Sequence, residues 1–445
     1  MNVNGQINAG SGFLPSISGN RSINLVGTDA VMSIIRYSTG GHPAIELRKY
    51  DVTGTTQESW WDMYATETDE LKLRRRTGGT PGDVMIMNSA GNVGIGTALP
   101  LEKLHVNGNM YCNGSIISTN MGLYRNRVIN GDMRINQRGF TSASPNTTGN
   151  TYSVDRWAVY AGGLPTSFSA GQYDLLSTTD ANVYNQGFRK ACQVNRGVGG
   201  TSIHFRQYIE LSMIEDLFNT EISLSFWARA SSAGTLIILF GKMSAGTTAT
   251  TTYRSTMNSS LTTSWQYFNF QMPVFSPTSS SGAQNTFGAD LVFDLVNLPS
   301  STSLFITGVQ VEKGNISTPF EFRPYAVELQ LCQRYFEKSY DIDTKPGTIT
   351  GVGNLHQRIV VTGSYTYVFP QVFYKVTKRG TTSITIYNPA NGNTGVWRND
   401  RVGNESVTSN DGANNISSFF VYNGASHNIG DGIFFQWTSE SELFA

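Results

Sequence analysis

Charge is scarce in this chain of 445 residues, and the charge that is present cancels. Charged residues make up 14% of the sequence, and 32 Lys and Arg residues match 32 Asp and Glu residues, which gives a formal net charge of zero. Proteins that hold nucleic acid through its phosphates need a basic surface. We therefore expect no nucleic acid partner, and the same balance argues against an acidic, solvated tail.

Cysteine, histidine and long apolar segments are also rare. Cys112, Cys192 and Cys332 lie far apart without a CxxC spacing, and five histidines are scattered without an HExxH motif, so we expect free thiols and no zinc site. No EF-hand spacing marks a calcium loop; a structural calcium ion held by loop oxygens stays open, and no other cofactor is expected. The apolar run 236–240 is too short to cross a membrane, and the first residues lack the basic and apolar regions of a signal peptide, so we expect neither membrane insertion nor secretion.

Small polar residues and aromatic residues take the place of charge. The chain has 46 glycines, and aromatic residues reach 11%. Disordered chains are poor in aromatics, so this chain should fold. Glycine, serine, threonine and asparagine combined with Tyr, Phe and Trp favour short strands joined by turns. The length is several times that of a modal domain, and we predict a mainly β protein of several domains.

The first region, residues 1–122, is a series of short predicted strands separated by polar turns. The strands fall at 60–64, 71–74, 84–87 and 93–96, a spacing that is typical of a β-meander. Such a small sheet with one apolar face cannot bury a core alone. Other copies of the same chain around one axis are the simplest cover, because most soluble oligomers are closed homo-oligomers.

A motif in this region resembles a known family. Residues 91–97 read GNVGIGT, Pro100 follows, and residues 103–108 read KLHVNG. The segment resembles one that recurs in the shafts of phage tail fibres and related virion appendages. The resemblance implies a trimeric β-rich shaft that contacts other tail or capsid proteins of the virion at its N-terminus. A phosphate-binding loop is the rival interpretation of the glycines, but no GK[ST] follows them.

The second region, residues 123–325, alternates apolar and polar residues with a period of two. Ile222, Leu224 and Phe226 share one face of a predicted strand, while Ser225 and Trp227 share the other. This pattern favours an antiparallel sandwich. Its motifs resemble a jelly-roll module of phage tail fibres, which is similar to carbohydrate-binding modules; they are NGDMRINQRG (130–139), DRW (155–157), FWARA (226–230), GVQVEKG (308–314) and PFEFRP (319–324).

The resemblance implies glycan contact or a structural spacer, and two sets of residues are candidates for a site. Trp157, Trp227 and Trp265 are either stacking platforms for sugar rings or, as aromatic residues in sandwiches more often are, part of the core. Four carboxylates could supply the acid and base of glycoside cleavage, which requires a defined separation that the sequence does not provide; these are Asp132, Asp155, Glu312 and Glu321. We expect structural roles for them and no enzyme activity.

A helix and a β-rich tip complete the predicted order. Residues 326–338 carry the clearest helical pattern, because Val327, Leu331 and Tyr335 recur every four residues. The segment resembles the helix that links the sandwich to the terminal domain of tail fibres, and we assign it residues 326–340, with Cys332 as a buried apolar residue.

The tip, residues 341–445, is predicted as strands around a long polar stretch at 388–415. Four residues in or beside loops either contact glycan by stacking and hydrogen bonding or anchor those loops; they are Trp397, Arg398, Tyr422 and Asn423. The whole pattern resembles an elongated, trimeric virion fibre or spike that attaches to host surface polysaccharide without chemistry. A polysaccharide-depolymerising tailspike and a purely architectural virion protein are the alternatives.

Overall fold

A computed structural model describes most of the chain, which divides into two compact units, residues 1–117 and 118–445. The predicted mainly β fold is confirmed, since the described residues form 27 strands and only two α-helices. The subdivision into four domains stays a prediction. The described residues are 44–50, 57–77, 82–110, 124–139, 150–163, 165–244, 250–272, 288–360, 366–367, 371–406, 416–423 and 427–443.

The first unit is one six-stranded sheet in which the strands follow each other in sequence order. All neighbours are antiparallel except the last two strands, which pair in parallel. The predicted strands at 60–64, 71–74 and 84–87 fall within this sheet. Its strands are β1 Ala44–Tyr50, β2 Gln57–Ala65, β3 Leu71–Thr77, β4 Gly82–Met87, β5 Val93–Ile95 and β6 Leu104–Val106.

The two faces of this sheet differ in chemistry. Cross-strand partners place Met63 opposite Leu73, Leu71 opposite Met87, and Met87 opposite Val93, so apolar side chains predominate on one face, where Arg75 lies beside Trp61. We call it the apolar face. Its side chains stay open to solvent within one chain, since the exposed fractions lie between 37% and 43% for Trp61, Met63, Leu71, Met87 and Ile95.

The opposite face of the same sheet carries ion pairs beside two buried side chains, Tyr64 and Ile86. Arg74 donates two hydrogen bonds from Nε to the Asp62 carboxylate and one of 2.6 Å from Nη2. Lys72 lies 3.1 Å from Glu70 and 3.7 Å from Asp83. Because the pleat alternates sides, the same strands present ion pairs on one side and uncovered apolar side chains on the other.

The second unit contains a sandwich of two antiparallel sheets. One sheet has the order β15-β12-β17-β10-β9, and the other has the order β14-β13-β16-β11-β8-β7. The elements are β7 Thr151–Tyr152, β8 Ala158–Gly162, β9 Ser169–Asp174, α1 Ala181–Tyr184, β10 Lys190–Asn195, β11 Ser202–Glu210, β12 Ile222–Ala230, β13 Gly234–Ser244, β14 Thr250–Leu261, β15 Gln266–Met272, β16 Gly288–Asp294 and β17 Ser303–Lys313.

The sandwich core lies between these sheets and is built on aromatic rings. Phe226 of one sheet meets Phe293 of the other edge-on, with ring centroids 5.0 Å apart. Trp157 is completely buried there, stacked on Phe205 at 4.6 Å. Its indole nitrogen donates a 3.0 Å hydrogen bond to the Asn130 carbonyl, which satisfies the one polar group of the ring. Of the two roles considered for Trp157, the core role is the one observed.

The helix is shorter than its sequence pattern suggests. It is α2, Tyr325–Gln333, and β18, Phe336–Lys338, begins only three residues later. Cys332 is completely buried, as predicted, but Tyr335 lies beyond the end of the helix. The helix is placed by a polar contact as well, because buried Glu328 accepts hydrogen bonds from Arg323 at 3.2 and 3.3 Å.

The tip is built around one long strand. β27 pairs with β18 and β22 along its second half and with β19 and β23 along its first half. The tip strands after β18 are β19 Leu355–Arg358, β20 Thr366–Tyr367, β21 Val372–Phe373, β22 Ser383–Tyr387, β23 Val396–Asn399, β24 Gly403–Ser406, β25 Ser418–Phe419, β26 Tyr422–Asn423 and β27 Gly432–Glu440.

Buried charges join the tip to the sandwich. The guanidinium of Arg156 is hydrogen-bonded to the carboxylate of Glu442, and both side chains are at most 1% exposed. Arg156 also donates a 2.5 Å hydrogen bond to the Tyr208 carbonyl and lies 3.4 Å from the centroid of the Tyr335 ring. Arg138 adds hydrogen bonds to Glu440 at 2.7 Å and to Glu442 at 3.2 Å.

The ion pair predicts a large loss of stability in one variant. Glu442→Gln leaves Arg156 buried without its counter-charge, and we expect it to lower the free energy of unfolding of this unit by about 3 kcal/mol. Chemical denaturation of the full chain, followed by tryptophan fluorescence, measures this. In the matched control, Glu440→Gln, the replaced side chain is 35% exposed, so the expected loss is below about 1 kcal/mol. Equal losses in the two variants would contradict the argument.

Candidate functional site

Two of the three predicted tryptophans of the sandwich meet on the outer face of one sheet. Strand β12 turns Leu224 and Phe226 into the core, so Trp227 and Arg229 face outward by alternation. Tyr267 on the neighbouring strand β15 is the cross-strand partner of Trp227. Their ring centroids lie 5.3 Å apart at an interplanar angle of 49°. Trp265 immediately precedes β15. We call Asp180, Trp227, Arg229, Trp265 and Tyr267 the sandwich site.

A cavity of about 310 Å³ opens beside these residues. Its walls come from the segment around α1, from the turn before β15 and from the outward face of β12. Hydroxyl and amide groups dominate its lining, so the cavity offers hydrogen-bond donors and acceptors beside an indole and a guanidinium. The lining residues are Thr179, Asp180, Ala181, Asn182, Arg229, Thr263, Ser264 and Trp265.

Asp180 organises the wall of the cavity. Its side chain is fully buried and accepts hydrogen bonds from the Trp265 indole at 2.8 Å, the Leu176 amide at 3.0 Å and the Thr179 hydroxyl at 3.1 Å. Arg229 approaches the same carboxylate at 3.5 Å. Burial by itself raises the pKa of Asp180, but these donors, led by the Trp265 indole, lower that pKa below its ordinary value. Asp180 is therefore an anion that holds Trp265 and Arg229 in place.

Arg229 is held by aromatic faces and keeps part of its surface exposed. Its guanidinium carbon lies 3.8 Å from the Phe305 ring centroid and 5.4 Å from that of Trp265. Such stacking restricts a side chain that is otherwise mobile. With its side chain 18% exposed, Arg229 can donate hydrogen bonds to a ligand from a fixed orientation.

A glycine and a strand irregularity set the position of Trp227. The pairing of β12 with β17 shifts register between Ser225 and Trp227. Opposite this shift, Gly308 has φ of +65°, and a Cβ atom there would lie 2.7 Å from the Phe188 ring and 3.3 Å from Trp227. Glycine is required because it tolerates both the left-handed backbone and the close approach. The bulge lies on β17, where Gly308 and Val309 oppose Phe226, and it brings the Gly308 backbone against the Trp227 ring.

The other predicted site residues lie elsewhere. Trp397 is on strand β23 and completely buried in the core of the tip, which corrects its expected place in an exposed loop; an indole with no exposed face cannot stack on a sugar. Arg398, the next residue, is exposed. Tyr422 and Asn423 form β26 and pair with β20, and their side chains lie outside the described part of the chain.

The four candidate carboxylates are engaged in local structure. Each binds a nearby guanidinium, amide or backbone N–H group, and no contact in the described part of the chain joins two of them. Asp132 pairs with Arg134 at 3.0 Å, Asp155 accepts from the Gln137 amide nitrogens, Glu312 accepts from the Thr318 N–H and hydroxyl at 2.7 Å, and Glu321 accepts from the Tyr124 N–H at 2.7 Å and the Asn126 N–H at 2.9 Å.

The described residues hold neither a cluster of metal ligands nor a membrane-spanning helix. Where the structure describes the chain, no three His, Cys, Asp or Glu side chains gather as ligands for an ion. Across those same ranges, no helix is long and apolar enough to cross a membrane. Cys192 and Cys332 are buried free thiols, and Cys112 lies outside the described residues.

Comparison with known proteins gives structural neighbours only. No protein-family model and no curated protein matches the sequence. The enzymatically active domain of tailspike protein 4 from bacteriophage CBA120 aligns with a TM-score of 0.28 at 17% identity, over 48% of this chain and 25% of that chain. This chain thus spans about a quarter of that structure's length.

Carbohydrate-binding modules align with similar scores. A family 61 module in complex with β-1,4-galactotriose has a TM-score of 0.26 at 14% identity, over 43% of this chain and 99% of that chain. The N-terminal cellulose-binding domain of Cellulomonas fimi β-1,4-glucanase C has a TM-score of 0.23 at 16% identity, over 40% of this chain and 100% of that chain. The sequence predicted that the chain is not an enzyme; the tailspike neighbour, an enzymatically active domain, contradicts that prediction, and we withdraw it.

The buried anion of the sandwich site predicts a pH effect. A carboxyl whose pKa is lowered by folding contributes stability that is present above its unfolded pKa and lost as the pH falls through its folded pKa. Between about pH 5 and about pH 2.5, we therefore expect the wild-type chain to lose more free energy of unfolding than Asp180→Asn loses.

The informative quantity is the difference between wild type and Asp180→Asn in how the free energy of unfolding changes with pH. Burial raises the pKa of Asp132 and of Asp155 to about 6, so these carboxyls act in the opposite direction and stabilise the fold towards acid. They act equally in wild type and variant, and the difference between the two denaturation series isolates Asp180. Parallel pH curves for the two proteins would show that Asp180 is not a stabilising anion.

Proposed function

We propose that this chain is a virion tail fibre or spike protein that binds a polysaccharide on the host surface. The sandwich site carries the proposal, because it combines an open cavity with aromatic rings and with oriented polar groups on one sheet face. The sequence motifs described above support assignment to a virion appendage. The sandwich architecture is also one on which glycan sites are commonly built, but the site itself is the argument.

The chemistry of the sandwich site suits a sugar chain. A pyranose ring has an apolar face, which aromatic side chains cover, and hydroxyl groups around its edge, which pair with donors and acceptors. Trp227 and Tyr267 offer the aromatic surface, and Tyr267 is 43% exposed. Asn182 and Ser264 line the cavity next to Arg229. A chain that lies across Tyr267 and enters the cavity meets both kinds of contact.

Repetition of the site would compensate for weak single contacts. An aromatic contact of this kind contributes about 1 kcal/mol beyond the area that it buries. We propose that the chain assembles as a homotrimer, and support for this comes from the apolar face of the first unit. In a trimer, copies of that face can cover one another. Three linked binding sites then raise the effective concentration of glycan at each site without any new contact.

Binding to glycan is tested with variants of Trp227 and Tyr267, the aromatic pair on the outer face of the sandwich. We expect Trp227→Ala and Tyr267→Ala each to weaken glycan binding roughly fivefold, which corresponds to about 1 kcal/mol. The full chain is screened on an array of bacterial capsular, O-antigen and β-linked polysaccharides, and the best ligand is titrated. Phe373→Ala is the matched control, because this aromatic side chain is 69% exposed and lies in the tip.

The same mixtures distinguish the alternatives. Reducing ends are measured with time, and their release would favour a depolymerising tailspike over an attachment protein without chemistry. Absence of binding to every polysaccharide and to host cells would favour an architectural virion protein. Point variants are preferable to removal of residues 345–445, because that deletion also removes Glu442 and leaves Arg156 buried without its partner.

Assembly is tested on the apolar face. Leu71→Glu and Ile95→Glu each place a charge among side chains that neighbouring copies would bury, so we expect either change to convert a trimer into monomers at micromolar concentration. Sedimentation equilibrium of the full chain measures the mass. Lys72→Glu is the control: it places the same residue on the opposite face, where a lost surface ion pair costs about 1 kcal/mol or less. A monomeric wild-type chain would refute the trimer.

A further inference from the structure

A row of side chains crosses the outer face of the tip sheet. His356 on β19 and Arg398 on β23 flank Phe434 on the central strand β27 as its direct cross-strand partners. Asn404 on β24 continues the row as the partner of Arg398. On the other face of the same strands, Trp397 and Phe435 are buried in the tip core. The row His356, Phe434, Arg398 and Asn404 is called the tip row.

The tip row is exposed and held in shape by stacking. The imidazole of His356 lies parallel to the Phe434 ring, with centroids 4.2 Å apart at an angle of 8°. On the other side, the guanidinium carbon of Arg398 lies 5.6 Å from the centroid of the same ring. His356 and Arg398 are exposed, and Phe434 is partly buried between them. Phe434 thereby orients the His356 imidazole and the Arg398 guanidinium. Their strands, β19 and β23, flank β27 and lie roughly 10 Å apart.

Positive charge is in excess around the row. Arg401 is paired with Asp431 at 2.8 Å, and Arg358 lies 3.8 Å from Asp400 while it donates a 2.7 Å hydrogen bond to the Gly430 carbonyl. Arg398 has no carboxylate and no hydrogen-bond acceptor within reach among the described residues. Its only described side-chain contact is the ring of Phe434. The row therefore presents one uncompensated guanidinium whose donors point to solvent.

Asn404 closes the other end of the row. Its side-chain oxygen accepts hydrogen bonds from Asn388 at 2.6 Å and from Asn391 at 3.1 Å. With the oxygen engaged twice, the remaining polar group of this amide is its NH₂ donor. The row thus offers an imidazole, a guanidinium and an amide, and it contains no carboxylate. These groups complement an anion that also carries hydroxyl groups.

We propose that the tip row binds an acidic oligosaccharide, with a sugar carboxylate on the Arg398 guanidinium and hydroxyl groups of that sugar and of its neighbours on Asn404 and His356. A planar carboxylate matches the fork of an arginine, which binds it through two parallel hydrogen bonds. A sugar acid is favoured over a simple anion because Asn404 lies beside the arginine, and the Phe434 ring and the His356 imidazole follow on its other side. This inference goes beyond the proposed function, since the tip row and the sandwich site share no residue.

The test compares two probes that differ only in charge. Oligogalacturonate carries one carboxylate on each ring, and its methyl-esterified form carries none. We expect the full chain to bind the acid form about tenfold more tightly at low salt, and Arg398→Gln to remove that difference. Lys375→Gln is the matched control, because it removes another exposed positive charge of the tip outside the row and should leave the difference intact.

Further measurements keep the proposal falsifiable. Phe434→Leu keeps an apolar residue between the strands but removes the stacking ring, and we expect a partial loss of preference with unchanged thermal unfolding. Arg398→Gln should leave any binding at the sandwich site unchanged, so failure here is distinct from failure of the proposed function. The proposal is overturned by equal affinity for the two probes, by an equal effect of Arg398→Gln and Lys375→Gln, or by a poly-glutamate peptide that binds as tightly as the oligogalacturonate.

Discussion

A buried guanidinium can be tolerated only beside a counter-charge, and the second unit meets this requirement at Arg156 with a carboxylate from the far end of the chain. Glu442 follows directly after β27, the strand on which the tip sheet is built. The ion pair therefore fixes the position of the tip against the sandwich. Lys378 and Glu337, also buried and paired at 2.5 Å, repeat the arrangement inside the tip. Polar contacts, rather than apolar area alone, give the two parts one defined arrangement.

The outer faces of the two sheets carry aromatic side chains on strands whose inner faces are packed. In the sandwich, the sheet that buries Phe226 presents Trp227 on its other side, and in the tip, the strand that buries Phe435 presents Phe434. Each of these two outward-facing rings, which are partly buried, has a cross-strand neighbour that holds it, Tyr267 for Trp227 and His356 for Phe434. The side chains proposed to contact sugar are thus carried by strands whose opposite faces are packed, which keeps them oriented in the absence of a ligand.

Sequence periodicity predicted the parts of the fold that depend on local alternation. The core-facing residues of β12 were predicted correctly because a period of two fixes which side chains face the core. Trp397 was misplaced because its Gly- and Asn-rich surroundings are typical of a loop, whereas pairing with β27, which lies far away in sequence, makes that segment a core strand. Asp180 had no recognisable signal at all, since its role depends on Trp265 and Arg229, which are 85 and 49 residues away.

The distance along the chain between Arg156 and Glu442 also has a consequence for biosynthesis. The two residues are separated by 286 positions, so a nascent sandwich leaves the ribosome well before its counter-charge has been made. At translation rates of roughly 5–20 residues per second, the arginine waits for tens of seconds. During that interval the surface that will receive the tip is open, and Arg156 is without its counter-charge. The junction between tip and sandwich is therefore completed only after residue 442 has been made, whatever the order in which the sandwich strands pair.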